Sequence, residues 1–301
     1  MLYIALGGQI AVVAAAFWIE SRAPEGSARR AVLWSLAWLA LGLLPTLWFG
    51  LWRSPHAASS YAAVYLIERA LSLDNVFVFA VLIASFQIDR SDRRRLVSFG
   101  ALSAFALRVP AILVGVVLFK ASHFVSYLLG ALLLVLAWQT ARSAGSGEPT
   151  EPNRLVLYLQ RRLPVSEHVP GRFFVLRDGR REVTPMLLCL VAIMLADLAF
   201  AVDSIPAALA ISSDTVLLLT ANLLALMGLR ALFELVAIAR RRLLYMDQTI
   251  AVLLLLVGLK LLAAEALEVS PLASLGAVLV VLAAGTAVSL RASRARAGAS
   301  V

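Results

Sequence analysis

Apolar residues in this chain gather into long runs, separated by short stretches that hold most of its charge. The runs cover residues 2–19, 31–52, 61–86, 96–119, 122–141, 185–211, 214–239, 249–267 and 271–290. A helix of about 20 apolar residues crosses the ~30 Å hydrocarbon core of a bilayer, so each run predicts a transmembrane helix, about nine in all. The first run has no positively charged leader and reads as a retained helix rather than a signal peptide. Trp34, Trp38, Trp48 and Trp52 lie near the two ends of the second run, where an interfacial aromatic belt is expected.

The polar stretches read differently from one another. Residues 20–30, 53–60 (with His56) and 87–95 are short loops, whereas residues 142–184 form one long polar segment. Within it, residues 145–153 have flexible linker composition. Residues 172–183, RFFVLRDGRREV, place an Asp178-Gly179 turn between two short apolar-bearing runs, which predicts a β-hairpin. The segment suits an amphipathic lid on the membrane surface or a regulatory docking site for protein partners. The chain then divides into residues 1–60, 61–141, 142–184, 185–267 and 268–301, with the last holding a final helix and a basic tail.

Composition supports the membrane reading. The chain is 61% hydrophobic and 15% charged, against about a quarter charged in soluble proteins. Its net charge of +9 could suggest nucleic acid, but no nucleic-acid module is recognisable. Outside the runs, the basic residues fall in alternate loops; Arg53 and Lys120 alone lie on the opposite side. Short cytoplasmic loops collect Lys and Arg, so the N-terminus is expected outside and the C-terminus inside. Cys189 is the single cysteine, too few for an internal disulfide, a redox pair or a zinc motif, and its expected role is packing.

Arg69, Arg108, Arg230 and Lys260 lie within apolar runs, and so do several acids. The third run contains LIERALSLDNVFV, with Glu68, Arg69, Ser72, Asp74 and Asn75; the sixth contains LADLAFAVDSIPAA, with Asp197 and Asp203 at the same separation, followed by Ser204. Residues 100–108 (GALSAFALR) can likewise be set against residues 222–230 (NLLALMGLR), which begin at Asn222 and end at Arg230. The third to fifth helices thus resemble the sixth to eighth. Three is an odd number, so the second unit inserts upside down. Such an inverted repeat is a transporter architecture, with the substrate site near the midplane.

On an ideal helix Glu68, Ser72 and Asn75 fall within about 60° of one another, as do Asp197, Ala201 and Ser204. Asp74 and Asp203 lie about 120° from those stripes and share a cavity with them only if a helix is distorted. Pro206 offers a cause in the sixth helix, because it cannot donate to the Val202 carbonyl, which is left as a possible oxygen ligand. Each acid at mid-bilayer costs roughly 2.5–3.5 kcal/mol, about 10–14 for four. Something must offset that. The plain candidate is ion pairing: Arg230 with Glu234 at i, i+4, and Arg108 with Asp74 or Glu68. The functional candidate is a divalent cation held by Glu68, Asp74, Asn75, Asp197 and Asp203, supported by Ser72, Ser204, the Val202 carbonyl, Arg108, Asn222 and Arg230. All-oxygen ligation suits Mn²⁺, Ca²⁺ or Mg²⁺. His123 reads as interfacial, and His56 and His168 as loop residues. Enzyme readings fare poorly: an intramembrane serine protease needs a membrane histidine partner, and neither aspartate is flanked by glycine as in an intramembrane aspartyl protease.

At these residues the chain resembles the TerC family of integral membrane proteins, of TerC/Alx type. The matching stretches are YLIERALSLDNVFVFA (residues 65–80), GALSAFALR, FFVLRDGRREVTP, DLAFAVDSIPA (residues 197–207), NLLALMGLRALF and GLKLL (residues 258–262). The resemblance implies a multi-pass protein of the bacterial inner membrane, linked to divalent metal homeostasis and above all to manganese export; tellurite resistance gave the family its name. It carries Glu68, Asp74, Asn75, Asp197 and Asp203 over as motif positions. One departure stands out. Family members often have an acid three residues before the position of Asp197, where this chain has Met194, and a thioether is a poor ligand for a hard cation. The expectation is a Mn²⁺ exporter, with a Ca²⁺ or other divalent transporter and a non-transporting stress-response scaffold, docking through residues 142–184, as the rivals.

Overall fold

The computed structural model describes residues 15, 27–114, 123–143, 165–166, 171–177, 180–263 and 269–298. The first predicted helix lies outside the described residues, apart from Ala15, as does the linker 145–153. The described chain is helical throughout except for one small hairpin: α1 (Ala28–Trp52), α2 (Pro55–Ser85), α3 (Arg90–Val114), α4 (His123–Ser143), β1 (Phe174–Arg177), β2 (Arg180–Val183), α5 (Pro185–Ile211), α6 (Thr215–Leu226), α7 (Leu229–Arg242), α8 (Met246–Ala263) and α9 (Pro271–Gly298). Among the described residues, five stretches are long and apolar enough to cross a membrane: Ala28–Trp52, Pro185–Ile211, Thr215–Arg242, Met246–Ala263 and Ala273–Ser293.

Capping explains where several helices begin. Ser54 accepts from the Ala57 N–H and Pro55 follows with its φ already helical, so α2 starts at Pro55 and not at Tyr61. His56 consequently sits in a first helical turn and not in a loop. Thr184 with Pro185 opens α5 in the same way, and the Asp214 carboxylate receives two N–H groups at the start of α6. The charged residues Arg90–Arg95 belong to α3 rather than to a loop. The basic tail, Arg291 onward, continues α9 to Gly298.

The largest departure is in the seventh predicted helix. It is not continuous: α6 ends at Leu226, Met227 is extended, and Gly228 takes φ 76° before α7 begins. Only glycine adopts that left-handed geometry without strain, and a Cβ at Gly228 would stand 2.7 Å from the Trp38 Cβ. Trp38, expected in the interfacial belt, is instead buried at 5% exposure against the break. Conversely, α5 runs as helix straight through Pro206. Irregular backbone at membrane depth thus comes from a glycine in one helix and not from the proline in another.

The hairpin appears as expected, antiparallel with Phe174 opposite Val183 and Arg177 opposite Arg180; its turn residues 178–179 lie outside the described set. It docks on the start of α3. The Asp92 carboxylate receives the Gly171 N–H at 3.0 Å, Arg95 donates to the Gly171 carbonyl at 2.6 Å, and Phe99 meets Phe173 edge-on.

Two apolar clusters build the interior. One gathers Phe79, Leu82, Leu136, Ile193 and Leu254; the other gathers Phe49, Tyr61, Tyr65, Ile205 and Leu218. Along α2 the second cluster ends at Tyr65 and the first resumes at Val76; along α5 the change falls between Phe200 and Ala201. The α6–α7 break lies where the same two clusters meet. Cys189 is fully buried in the first cluster, in keeping with a packing role. The broken span is the most enclosed, with 83% of its apolar window buried, whereas α1 and α9 bury 17% and turn leucines and valines outward.

Small residues let α4 and α8 approach closely. A Cβ on Gly258 would lie 3.1 Å from the Gly130 carbonyl, and one on Gly130 would lie 3.0 Å from the Gly258 carbonyl. Within lipid, such backbone contact is a main source of helix association. Gly258→Leu is therefore expected to cost about 1–3 kcal/mol through overpacking, read as a lower Tm of the purified protein in detergent. Gly276→Leu, where a Cβ meets nothing, should leave Tm unchanged.

Candidate functional site

The polar level between the two apolar clusters holds the predicted residues. Glu68, Ser72 and Asn75 come from α2 and Asp197 and Ser204 from α5, each at most 1% exposed. Their i, i+4, i+7 spacing on α2 puts all three on one face, as the helical period requires. Arg108 of α3 and Asn222 of α6 complete the group, both buried.

Arg108 is its centre. Nη1 donates to Glu68 Oε2 at 2.8 Å and to Asn222 Oδ1 at 3.0 Å, while Nη2 donates to Asp197 Oδ1 at 3.0 Å. Nε reaches the other oxygen, Asp197 Oδ2, at 3.4 Å. The guanidinium fork thus engages both oxygens of Asp197 and one of Glu68, the geometry for which arginine is suited. Asn75 Nδ2 adds a donor to Asp197 Oδ1 at 3.3 Å. Of the expected partners of Arg108, Glu68 is engaged, together with Asp197; the Asp74 side chain lies outside the described residues. Arg230 pairs more loosely with Glu234, at 3.8 Å, as the i, i+4 spacing suggested.

Three oxygen atoms of this group have no hydrogen-bond partner: Glu68 Oε1, Asn75 Oδ1 and Ser204 Oγ. Ser204 Oγ approaches the Glu68 carboxylate without reaching hydrogen-bond geometry. A buried polar atom without a partner costs roughly 1–3 kcal/mol, so the arrangement is incomplete on that side. The side chains of Asp74, Val202 and Asp203 lie outside the described residues. Among the described residues, no three Asp, Glu, His or Cys side chains gather as a metal site. The structure therefore brings Glu68, Asn75, Asp197, Ser204, Arg108 and Asn222 together. Arg230 lies on α7, with Nε 3.8 Å from Glu234, and Met194 is half-buried on α5.

Arg69 has a separate task that the sequence did not announce. Its Nη1 donates to the carbonyls of Ala225, at 3.0 Å, and Met227, at 2.6 Å. These are the groups left over where α6 ends, and a cation there also complements the negative end of the helix dipole. Ser72 donates to the Glu68 carbonyl and lies 3.5 Å from the Ala225 carbonyl. The Glu68-Arg69 pair thus serves two neighbouring sites: Glu68 faces the Arg108 cluster and Arg69 seals the break. The signal available in the sequence was the Met227-Gly228 step.

Comparison with known proteins decides the family. Residues 53–297 match the model of the Integral membrane protein TerC family. The chain belongs to the TerC family. This TerC protein is 34% identical over 268 residues to Alx of Photorhabdus laumondii subsp. laumondii, whose name proposes a membrane-bound redox modulator; the match covers 85% of this chain and 83% of that one. It is 35% identical over 243 residues to the chloroplastic thylakoid membrane protein TERC of Arabidopsis thaliana, covering 80% of this chain and 63% of that one. An uncharacterised membrane protein of Myxococcus xanthus is 31% identical over 269 residues, covering 88% of this chain and 84% of its own length. No solved structure matches this TerC protein.

The break generates a test. Gly228→Ala forces a side chain into the left-handed region, at about 1–2 kcal/mol, and drives it into Trp38. Tm should fall, and adding Trp38→Ala should not restore it, because alanine keeps the Cβ that a side chain at 228 would meet at 2.7 Å.

Proposed function

We propose that this protein exports a divalent metal cation across a bacterial inner membrane, with Mn²⁺ the preferred cargo and protons the exchanged ion. The observation that carries this reading is the set of unpartnered, fully buried oxygens, Glu68 Oε1, Asn75 Oδ1 and Ser204 Oγ, beside two carboxylates at one level of an apolar interior. Carboxylate, amide and hydroxyl oxygens suit a hard cation. Asp74 and Asp203, one residue before Asn75 and Ser204, are proposed as further ligands. The Val202 carbonyl, which Pro206 cannot engage, is another. Alternating access would operate between the inverted units of residues 61–141 and 185–267.

The broken span supports the same reading, because discontinuous helices near mid-membrane are a feature of transporter sites. A thiol mechanism, which the name Alx brings to mind, finds less support: Cys189 is the single cysteine and is fully buried. Ca²⁺ would use the same oxygens, and metal competition on the purified protein separates it from Mn²⁺. The scaffold reading draws on Phe174 and Leu176, exposed side by side on β1. Deleting residues 142–184 abolishes a scaffold's function, whereas a transporter keeps some flux.

Two outcomes are expected. In cells lacking other manganese exporters, Asp74→Asn or Asp203→Asn at normal expression raises Mn²⁺ accumulation to the level of the deletion strain; unchanged accumulation counts against the reading. Metal binding needs ionised carboxylates, so the affinity of the purified protein for Mn²⁺ should rise from mildly acidic to mildly alkaline buffer. A flat titration contradicts the assignment of these ligands.

A further inference from the structure

Arg108 occupies the place where the proposed cargo would bind. It is 2% exposed and hydrogen-bonds two carboxylates from two helices. The fork is lopsided, however. It engages Glu68 Oε2 and leaves Glu68 Oε1 without a partner, while Asn75 gives its amide nitrogen to Asp197 and leaves Oδ1 idle. An ion pair serving only as structural glue is expected to satisfy all its buried atoms, because an unsatisfied one carries the full desolvation penalty. Here Glu68 Oε1 and Asn75 Oδ1 are acceptors, and the Ser204 hydroxyl offers lone pairs as well as a proton, so each can present oxygen to a cation.

We propose that Arg108 is a tethered counter-cation: it fills the carboxylate site when the site is empty, and the entering divalent cation displaces it. This rests on the transporter reading above. The metal first meets the unpartnered Glu68, Asn75 and Ser204 oxygens. It gains Glu68 Oε2 and Asp197 only as the guanidinium withdraws, since two cations cannot share those oxygens. Asn222 gives the displaced side chain a neutral anchor: its Oδ1 already accepts from Arg108 Nη1 and carries no charge that the metal would claim. With the arginine in place, Glu68 and Asp197 keep a cation beside them as the empty site returns across the membrane. Without it, the bare carboxylates must travel either loaded or protonated.

The test uses the full chain in liposomes, with Mn²⁺ itself as probe. Arg108→Gln is expected to bind Mn²⁺ about tenfold tighter, an ordinary coupling between two ligands competing for one site. It should retain Mn²⁺–Mn²⁺ counterflow while losing net efflux, and Arg108→Lys should restore net efflux. Infrared difference spectra of the wild-type protein, with arginine isotopically labelled, should show the guanidinium bands shift when Mn²⁺ is added; this readout needs no folded variant. Wild-type transport without that shift, or an Arg108→Gln protein that binds no tighter, overturns the proposal alone. Equal loss of counterflow and net efflux makes Arg108 a strut and also overturns it. A wild-type protein that neither binds nor moves Mn²⁺ overturns the transporter reading and this proposal together.

Discussion

A single guanidinium holds the interior of this protein together. Glu68 and Asp197 come from different helices and are buried in surroundings that penalise charge by several kcal/mol per group. Arg108 satisfies parts of both and ties in Asn222, so α2, α3, α5 and α6 converge on one side chain. The apolar clusters on either side pack generically. The fork between them sets register, because its hydrogen bonds tolerate little sliding of one helix past another.

The second constraint is the interruption between α6 and α7. A broken helix exposes carbonyls that lipid cannot satisfy. Here Arg69 takes two of them, and Gly228 turns the chain while Trp38 fills the space beside it. Two neighbouring residues of α2 therefore stabilise two different irregularities: an acid that needs a cation and a cation that needs acceptors. That division gives Glu68 and Arg69, side by side in an otherwise apolar helix, each a described set of partners.

Much of this was legible in the sequence. The apolar runs located α1, α4, α5 and α8 to within about four residues and α2, α3 and α9 to within about eight, because length and hydropathy are strong signals in lipid. The hairpin was announced by Asp178-Gly179, and the i, i+4, i+7 stripe of α2 by its polar spacing. Arg108 was visible as an intramembrane charge, but its engagement of Asp197 depends on how α3 packs against α5, which no local pattern encodes. The break at Gly228 was passed over because a lone glycine in an apolar run is common in membrane helices; Pro206 was the louder signal and left α5 helical. Trp38 misled for a related reason: tryptophans near helix ends are usually interfacial, and only the neighbouring glycine makes room for this one inside.

The make-up of the Arg108 cluster has an electrical consequence. In this cluster two carboxylates face one guanidinium. A charge carried across the full transmembrane potential gains or loses about 2.3 kcal/mol per 100 mV. The proposed dication would add two positive charges to these groups. If the protein works as proposed, voltage would therefore act differently on the occupied and the vacant centre, and the polarity of the cell, as much as any gradient, would bias which way the molecule faces.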